Sequence, residues 1–391
     1  MRRRPDTLFT PAFVALTLSD LAYFTAGGAL IGVTPFFVTG PLGDGLAAVG
    51  LAVGAFSLTT LVLRPLAGRW ADQHGRRPLL IGGAASFALL VLGHLLITDL
   101  AWLVVLRLLL GAAEALYVVA GFAALADLAP PGRAGEALSY NSLALYLGIA
   151  AGPVIGQALL SWGGFVLVWT GAGALLAVAA LLAAQVPETL QPTSGPSPRA
   201  PLVQRDALVP GLGLFTGVAV VGGFLAFASL HAARLGLDLW SAVLGLFGLV
   251  VVASRLLFAT LPDRVPPLRL AAAALAASAA GLVVIAAVPA AWALFTGAAL
   301  LGIGSAFLTP AVFAAIFNRV PASERGAAAG TASMFIDLGL GGGPLVLGLV
   351  VAAGGIPAAF LTAAGLAAAG GVLLASRPIP RAPVPSSPGA A

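Results

Sequence analysis

Long apolar segments alternate with short polar segments along almost the whole chain of 391 residues. Each apolar segment holds roughly 20 residues or more, which is the length that an α-helix needs to cross the hydrocarbon core of a bilayer. The pattern therefore predicts twelve membrane-spanning helices. They cover residues 11–39, 45–67, 78–97, 100–128, 135–161, 165–186, 208–234, 239–261, 268–288, 291–318, 324–352 and 356–376.

The composition also indicates a chain that lies mostly in lipid. Hydrophobic residues make up 60% of the sequence and charged residues only 8%, whereas about 25% of the residues in a soluble domain are charged. Lipid offers no hydrogen-bond partners to the backbone, so the spanning segments must be helical or form a closed barrel. Segments of this length favour helices, and we expect an all-α membrane protein.

The basic residues set the expected orientation. The 19 basic residues are all arginines. When alternate loops are assigned to the cytoplasm, 15 of the 19 fall on that side, and only Arg234 falls in a loop on the other side. Because arginine-rich loops stay in the cytoplasm, both termini are predicted to lie there, with the chain in the inner or plasma membrane. The net charge of +5 then follows from topology, and no nucleic-acid partner is expected.

Similar residues recur about 191 positions apart, which predicts an internal duplication. Arg64 is matched by Arg255, and the segment 148–153 is matched by 339–344, each at an offset of 191. Two pseudo-symmetric six-helix bundles are therefore expected. The predicted parts are an N-terminal bundle at 1–186, a cytoplasmic linker at 187–207, a C-terminal bundle at 208–376 and a disordered cytoplasmic tail at 377–391.

The most polar short segment in the first half lies between spans two and three, from Gly68 to Pro78. Its pattern, Gly-x-x-x-Asp-x-x-Gly-Arg-Arg, resembles the signature loop between helices 2 and 3 of the major facilitator superfamily of transporters. Trp70 and Gln73 depart from the leucine and arginine that are common in that family. The resemblance implies a gating role for five residues, which are Gly68, Asp72, Gly75, Arg76 and Arg77.

Span five contains glycines at steps of four around a proline, in the run Gly148, Gly152, Pro153 and Gly156. Small residues on one face let a second helix approach closely, and proline bends its helix. The run resembles a superfamily motif associated with antiporters, except that Gln157 replaces the last glycine. The resemblance implies that these residues seal the closed conformation and that the transporter exports its substrate. Ordinary packing of small residues is the alternative.

Four charged residues near the middle of predicted spans are candidates for proton coupling. A charged side chain in hydrocarbon costs roughly 2.5–3.5 kcal/mol on insertion scales, so it faces a partner or a wet cavity. A buried carboxyl group without a partner favours its protonated form, as a proton carrier requires. The candidates are Asp20 in span one, Arg107 and Glu114 in span four, and Asp337 in span eleven.

Asp20 and Glu114 are the leading candidates. Arg107 belongs to a run that resembles a helix-four motif whose arginine is implicated in proton transfer, although Leu110 stands where glutamine is often found. A structural ion pair between Arg107 and Glu114 is the alternative for span four. For Asp20 and Asp337 the alternative is a structural acid.

Aromatic and amide residues on four spans are candidates for the substrate cavity, although packing or contact with lipid is the alternative for each. They are Tyr23, Phe24, Tyr117, Asn141, Tyr146, Phe224 and Phe227.

The resemblance implies a secondary active transporter that works by alternating access, with the drug:proton antiporter branch as the nearest likeness. We expect proton-coupled efflux of a small drug-like or amphipathic compound. The alternative is a proton-linked importer or exporter of a sugar or small metabolite on the same fold. The expected partners are the substrate, protons and the lipid bilayer, and the family default is a monomer.

No enzymatic site, cofactor or metal site is expected. The chain has no cysteine, and its three histidines, His74, His94 and His231, are too far apart in sequence to suggest a ligand cluster.

Overall fold

The computed structural model describes residues 7–130, 133–190, 204–258, 261–320 and 325–377. Within these ranges the chain is helical and contains no strand, which confirms the all-α fold class. The α-helices are α1 (Pro11–Thr39), α2 (Leu46–His74), α3 (Arg76–Leu92), α4 (Leu100–Leu128), α5 (Ala134–Ala183), α6 (Leu208–Arg234), α7 (Ala242–Leu257), α8 (Leu261–Arg264), α9 (Pro267–Ala287), α10 (Ala291–Phe317) and α11 (Arg325–Ala375).

Two of these helices are too long to cross a bilayer only once. Their apolar stretches, Tyr140–Ala183 and Ala328–Ala375, hold 44 and 48 residues. At 1.5 Å per residue these lengths are roughly 66 and 72 Å, against a hydrocarbon core of about 30 Å. The backbone leaves helical angles at Gly163 and Gly164 in α5 and at Gly355 in α11. Each helix therefore consists of two arms joined by a sharp bend.

The two arms of α5 run in opposite directions, because Leu159 before the bend packs beside Gly171 after it. In the part of the chain that the structure describes, nine helices are long and apolar enough to cross a membrane, and Ala242–Leu257 is a shorter apolar helix. With α5 and α11 each crossing twice, these ten helices are consistent with the twelve predicted spans.

The polar hairpin between spans two and three is more helical than the sequence pattern predicted. Span two was predicted to end at residue 67, but α2 continues to His74. The helix ends at Gly75, whose φ of +98° is a conformation that residues with a side chain rarely adopt. The turn between the two helices is therefore a single glycine.

The same arrangement of helices occurs twice in the chain. α1 packs against both arms of α5, and α6 packs against both arms of α11. A Cβ atom on Gly28 in α1 would lie 2.9 Å from the carbonyl oxygen of Gly148 and 3.1 Å from the Cα of Gly152. In the second half, a Cβ on Gly222 in α6 would lie 3.1 Å from the Cδ of Pro344. Equivalent glycines thus bring equivalent helices close together in the two bundles.

The two bundles, α1–α5 and α6–α11, meet along two seams. In one seam α2 packs on α11, where a Cβ on Gly50 would lie 2.9 Å from the Cα of Gly348. In the other seam the first arm of α5 packs on α7, where a Cβ on Gly248 would lie 2.7 Å from the Cα of Ala150.

We call the face at which α1 begins and α11 ends the terminal face, and the other the opposite face. Both seams extend toward the opposite face.

The predicted linker and tail lie largely outside the described residues. Residues 191–203 of the predicted linker and the chain from 378 onward are not described. At the edges of the linker, Glu188 and Thr189 contact the first bundle, and Arg205–Ala207 form a short 3-10 turn before α6. The predicted domain boundaries stay predictions.

Gly28→Ala is expected to destabilise the protein, because the new methyl group would meet the backbone of α5. Overpacking of this kind costs about 1–3 kcal/mol. Gly27→Ala is the matched control, since a Cβ at Gly27 has no atom within 4 Å. Thermal unfolding of the purified variants in detergent measures the difference. Equal unfolding temperatures for the two variants would contradict the close α1–α5 contact.

Candidate functional site

Asp20 lies at the centre of a hydrogen-bond network between α1, α4 and α5. The hydroxyl of Tyr117 donates to Oδ1 of Asp20 at 2.7 Å, and Nδ2 of Asn141 donates to Oδ2 at 2.7 Å. Ser19 Oγ lies 2.7 Å from the Tyr117 hydroxyl and 2.8 Å from the carbonyl oxygen of Ala179. Asp20 is only 5% exposed. All of these partners come from the first bundle, so the network can move with that bundle as a unit.

The Asp20 network accepts a proton without losing a hydrogen bond. When Asp20 is ionised, the Tyr117 hydroxyl donates to it. The single hydroxyl hydrogen of Ser19 is then donated either to the Tyr117 hydroxyl oxygen or to the Ala179 carbonyl oxygen. When Asp20 is protonated, it donates to Tyr117, Tyr117 donates to Ser19, and Ser19 donates to the Ala179 carbonyl. A change in proton occupancy therefore reverses the direction of the chain of donors without moving its heavy atoms.

A stacked aromatic pair forms one wall of this network. The rings of Tyr23 and Tyr117 are 4.0 Å apart and nearly parallel, and Phe24 and Phe87 meet Tyr23 edge-on at 5.5 and 5.0 Å. Tyr23 is 2% exposed, and its hydroxyl has no hydrogen-bond partner among the described residues. Two of the predicted cavity residues, Tyr23 and Tyr117, thus pack against each other beside Asp20.

Glu114 lies on α4 one turn from Tyr117 and is partly exposed. The hydroxyl of Thr60 on α2 lies 3.2 Å from Oε2 of Glu114, and its single hydrogen is shared between this oxygen and the carbonyl oxygens of Gly111 and Phe56 at 3.1 and 3.2 Å. Arg64, one turn further along α2, and Asp337 on α11 are both close enough to interact with Glu114 electrostatically. Arg64 Nε lies 3.1 Å from Oδ2 of Asp337. The structure therefore brings Glu114 and Asp337, two of the predicted coupling acids, to the same arginine.

Arg107 does not pair with Glu114, although both residues lie on one face of α4. The ion pairs found among the described residues are Arg64–Asp337, Arg76–Asp72 and Arg76–Asp127. The guanidinium of Arg107 instead donates from Nη2 to the hydroxyl of Thr34 on α1, and Arg107 is 6% exposed. Arg107 is thus a buried cation between α1 and α4, closer to the opposite face than Glu114 is.

The junction of α2 and α3 on the terminal face is held together by Arg76. Its Nη2 lies 3.1 Å from Oδ1 of Asp72, and its Nε lies 3.2 Å from Oδ2 of Asp127 at the end of α4. Its Nη1 donates to the carbonyl oxygen of Ala71 at 2.9 Å. The candidate gating residues Asp72 and Arg76 are therefore in direct contact, and they join α2 to α4. A Cβ atom on Gly68 would have one neighbour within 4 Å among the described residues, which is Cγ1 of Val119 at 3.9 Å.

Glu188, just after α5, binds the same junction through the backbone. Its two carboxylate oxygens accept from the backbone N–H groups of Arg76 and Arg77 at 3.0 and 3.2 Å. Arg77 in turn donates from Nη2 to the carbonyl oxygen of Ala184 at 2.7 Å. Partial burial works to raise the pKa of Glu188, but backbone donors outweigh it and hold the pKa below the ordinary value of 4.5. These donors are the N–H groups of Leu190, Arg76, Arg77 and Thr189.

The glycine run of span five packs on α1 within the first bundle. Gly148 and Gly152 face Thr25 and Gly28, and Gly156 faces Ala29. Pro153 stands against Gly32 in the same seam.

Gln157, which replaces the last glycine of the family pattern, bridges the two bundles at the opposite face. Its Nε2 donates to the carbonyl oxygen of Asp238 at 2.6 Å, and its Oε1 accepts from the backbone N–H of Ser241 at 2.9 Å. Close to this bridge, the rings of Phe36 and Trp240 meet at 4.2 Å across the same gap. The opposite face is thus closed by specific contacts between the bundles.

The remaining candidate cavity residues are dispersed. Tyr146 on α5 lies at the seam with α7, where Arg255 donates from Nη2 to its hydroxyl at 2.9 Å and stacks 4.3 Å from its ring centre. Phe224 and Phe227 are fully buried within the second bundle, and Phe224 packs against Phe247 of α7. Asn141 is committed to Asp20.

Sequence reasoning missed the roles of Arg64, Arg255, Gln157 and Glu188. The signal for the two arginines was present, because they match across the 191-residue repeat and lie inside predicted spans. Gln157 was visible only as a departure from a glycine pattern. Nothing in the sequence around Glu188 indicated which backbone N–H groups its carboxylate would accept hydrogen bonds from.

Known proteins similar to this chain share its length and fold. A family model described as Major Facilitator Superfamily matches residues 13–295 and 263–391. An uncharacterized MFS-type transporter of Salmonella typhimurium is 32% identical over 364 residues, which cover 90% of this chain and 93% of the relative. One from Burkholderia mallei is 33% identical over 377 residues, covering 92% and 90%. The crystal structure of a bacterial homolog of the human lysosomal transporter Spinster, inward-facing and unoccupied, matches with a TM-score of 0.75, 16% identity and 95% coverage of each chain.

Tyr117→Phe is expected to destabilise the protein, whereas Tyr23→Phe is expected to be nearly neutral. The first change removes the hydrogen bond to Asp20, and a bond to a charged group contributes about 1.5–3 kcal/mol. The second removes a hydroxyl without a hydrogen-bond partner among the described residues. Thermal unfolding of the two variants in detergent provides the measurement. Equal losses would show that the hydrogen bond from Tyr117 to Asp20 contributes no net stability.

Glu188→Gln is expected to loosen the α2–α3 junction at neutral pH and to have no effect in acid. Because the pKa of Glu188 is lower in the folded protein, its stabilisation is complete above 4.5 and is lost as the pH falls through the lower folded value. Hydrogen-exchange protection of residues 72–80, corrected for intrinsic rates, is compared at about pH 7 and about pH 3. Unchanged protection at pH 7 would contradict the role assigned to the carboxylate.

Proposed function

This chain belongs to the major facilitator superfamily, and on that basis we propose that it exports a small drug-like or amphipathic compound in exchange for protons. Membership of this family makes the protein a multi-pass membrane transporter and not an enzyme. The proposal concerns the direction of transport, the coupling ion and the class of substrate.

The observation that carries the proton coupling is the Asp20 network. A carboxyl group that is 5% exposed, with a tyrosine and an asparagine at 2.7 Å, is well suited to gain and lose a proton inside the bundle. Its chain of donors is satisfied in both protonation states. A purely structural acid has no need of such a reversible arrangement. Glu114, which is partly exposed and is hydrogen-bonded by Thr60 among the described residues, is the second coupling acid.

The closed opposite face supports alternating access as the mechanism. With the termini in the cytoplasm, as the arginine distribution predicts, this conformation faces inward, like the Spinster homolog with which it shares its fold. In the proposed cycle, an outside proton neutralises a coupling acid and the substrate leaves to the outside. The bundles then rock to the inward-facing state, the proton is released inside, and new substrate binds.

The gating residues connect this rocking motion to the terminal face. Arg76 joins α2 and α4 through Asp72 and Asp127, and Glu188 fastens the end of α5 to the same junction. These contacts join the terminal ends of four helices in the first bundle, α2, α3, α4 and α5, into one body. In the outward-facing state, this body is proposed to meet the ends of α10 and α11 and close the inner gate.

The choice of an amphipathic substrate over a sugar rests on the polar groups that remain free. Asn141, the amide that favoured a sugar or metabolite, is occupied by Asp20. Aromatic groups predominate among the other candidates. Export across the inner or plasma membrane by a monomer, with both termini in the cytoplasm, completes the proposal.

The test is proton movement in everted vesicles that contain the protein, energised to an acidic interior and challenged with cationic drugs, neutral drugs, sugars and small acids. We expect an amphipathic compound to release protons through the wild type. Asp20→Asn and Glu114→Gln are each expected to slow this release roughly tenfold or more, which corresponds to about 1.4 kcal/mol in the height of the barrier. Asp44→Asn, an acid in the α1–α2 connection, is the control and should retain the wild-type rate.

Two outcomes would contradict the proposal. If no compound moves protons while labelled compounds still equilibrate, the protein is a uniporter or uses another ion. If only sugars or small acids release protons, the alternative substrate class is correct.

A further inference from the structure

Arg64 joins the two bundles near the middle of α2. Its Nε lies 3.1 Å from Oδ2 of Asp337 on α11, across the seam between the bundles. Neither of these two atoms has a hydrogen bond of good geometry among the described residues, so the contact is an ion pair without directional bonding. Arg64 is 25% exposed, whereas Asp337 is 3% exposed. The acid is therefore the more deeply buried partner, and the guanidinium is the more accessible one.

A second carboxyl group competes for Arg64 from its own bundle. Thr60 and Arg64 are four residues apart on α2 and share one face of that helix. Thr60 already bonds Glu114 of α4 at 3.2 Å, which places Glu114 beside the same face. Glu114 interacts electrostatically with both Arg64 and Asp337. One guanidinium thus stands between an acid of the first bundle and an acid of the second.

The internal repeat supplies a counterpart to this contact. Arg64 and Arg255 are 191 residues apart, and so are Tyr146 and Asp337. Arg255 on α7 crosses the other seam to Tyr146 on α5, donating to its hydroxyl at 2.9 Å with its guanidinium 4.3 Å from the ring centre. Both seams therefore carry an arginine at the same position of the repeat. Among the side chains that the structure describes, Arg64 meets a carboxylate and Arg255 meets a tyrosine.

We propose that Arg64 is the residue that couples proton binding to closure of the opposite face, by exchanging between Asp337 and Glu114. When Glu114 is protonated, Arg64 stays on Asp337, and the α2–α11 seam is closed as in this structure. When Glu114 loses its proton, the carboxylate draws Arg64 into the first bundle and the seam weakens. Arg255–Tyr146 is the matching contact without a carboxyl group, and it serves as a fixed hinge.

This direction of coupling is the one that a proton-driven exporter requires, and in that sense the inference rests on the proposed function. A proton taken up from the outside favours closure of the outer gate, which carries the proton inward. Loss of the proton to the cytoplasm favours the reverse movement, which carries substrate outward.

The charged groups on the helices packed against α2 and α11 leave few other sources of pH dependence. At the depth of Arg64 they are Glu114 on α4 and Asp20 on α1. The remaining charged groups and histidines whose side chains the structure describes on these helices lie nearer an end of their helix. These are Arg69, Asp72, His74, Arg76, Arg77, Arg107, Asp127, His231, Arg234 and Arg269, together with Arg205 and Asp206 before α6. Asp20 is the group that the experiment must separate from Glu114.

The test measures the distance between spin labels on the opposite face of the purified protein in lipid. The chain has no native cysteine, so labels can be attached at Thr98→Cys and Ala287→Cys, two exposed positions in different bundles. In the otherwise unaltered protein, lowering the pH from about 8 to about 5 is expected to increase the population with the short distance. Glu114→Gln, which mimics the protonated acid, is expected to show the short distance at both pH values.

Arg64→Gln and Asp337→Asn are each expected to lower the ratio of short to long distances by roughly 5- to 150-fold, the usual range for coupling between sites, and to remove most of the pH response. Arg64→Lys keeps the charge and is expected to retain part of that response. Arg255→Gln is the matched control. It lowers the ratio as well, but it leaves the pH response in place because it leaves Arg64, Asp337 and Glu114 unaltered.

Two results would overturn the inference. One is a wild-type pH response in Glu114→Gln, which would assign the response to Asp20 or Asp337. The other is loss of the pH response in Arg255→Gln to the same extent as in Arg64→Gln. The measurement needs no substrate and no transport, so it can succeed or fail independently of the vesicle experiment.

Discussion

The cost of placing charge and unpaired polar groups in hydrocarbon is the constraint on which this structure depends. It makes the backbone helical throughout the spans, and it makes each charged side chain inside them a site that needs partners. Asp20 is surrounded by donors from α4 and α5, and Arg107 reaches Thr34 on a neighbouring helix. Glycine seams serve the same constraint, because they let helices approach closely where lipid offers no hydrophobic drive for helices to associate.

A transporter must meet this constraint in more than one state. The Asp20 network does so by reversing its donors, which leaves the heavy atoms in place when the proton comes or goes. The Arg64 contact does so by offering two acids to one guanidinium, one in each bundle. In the first case the change stays inside a bundle, and in the second it alters the attraction between bundles. The Arg64 contact therefore links proton binding directly to domain movement.

The duplication explains both the symmetry of the fold and its useful asymmetry. Equivalent glycines at Gly28 and Gly222 bring equivalent helices together, so each bundle is held by the same packing. At the seams, the arginine is retained in both repeats, while its partner is Asp337 in one and Tyr146 in the other. A symmetric scaffold thus provides two seams of similar geometry, and a single difference in side-chain chemistry makes one of them responsive to charge.

The sequence by itself predicted twelve spans and their approximate limits, because the thickness of a bilayer imposes a length and a polarity that local composition reveals. The helices of the described residues are consistent with that number. It also indicated the repeat and the superfamily, since the Asp72 loop and the Gly148 run are local patterns. Only the tertiary structure decided the partners of the buried charges. Arg107 and Glu114 share a helix face but do not pair, and Asp337 meets an arginine from the other bundle. Gln157 closes the opposite face through backbone atoms of residues 238 and 241. Such contacts join residues far apart in the chain, and they depend on how whole helices pack.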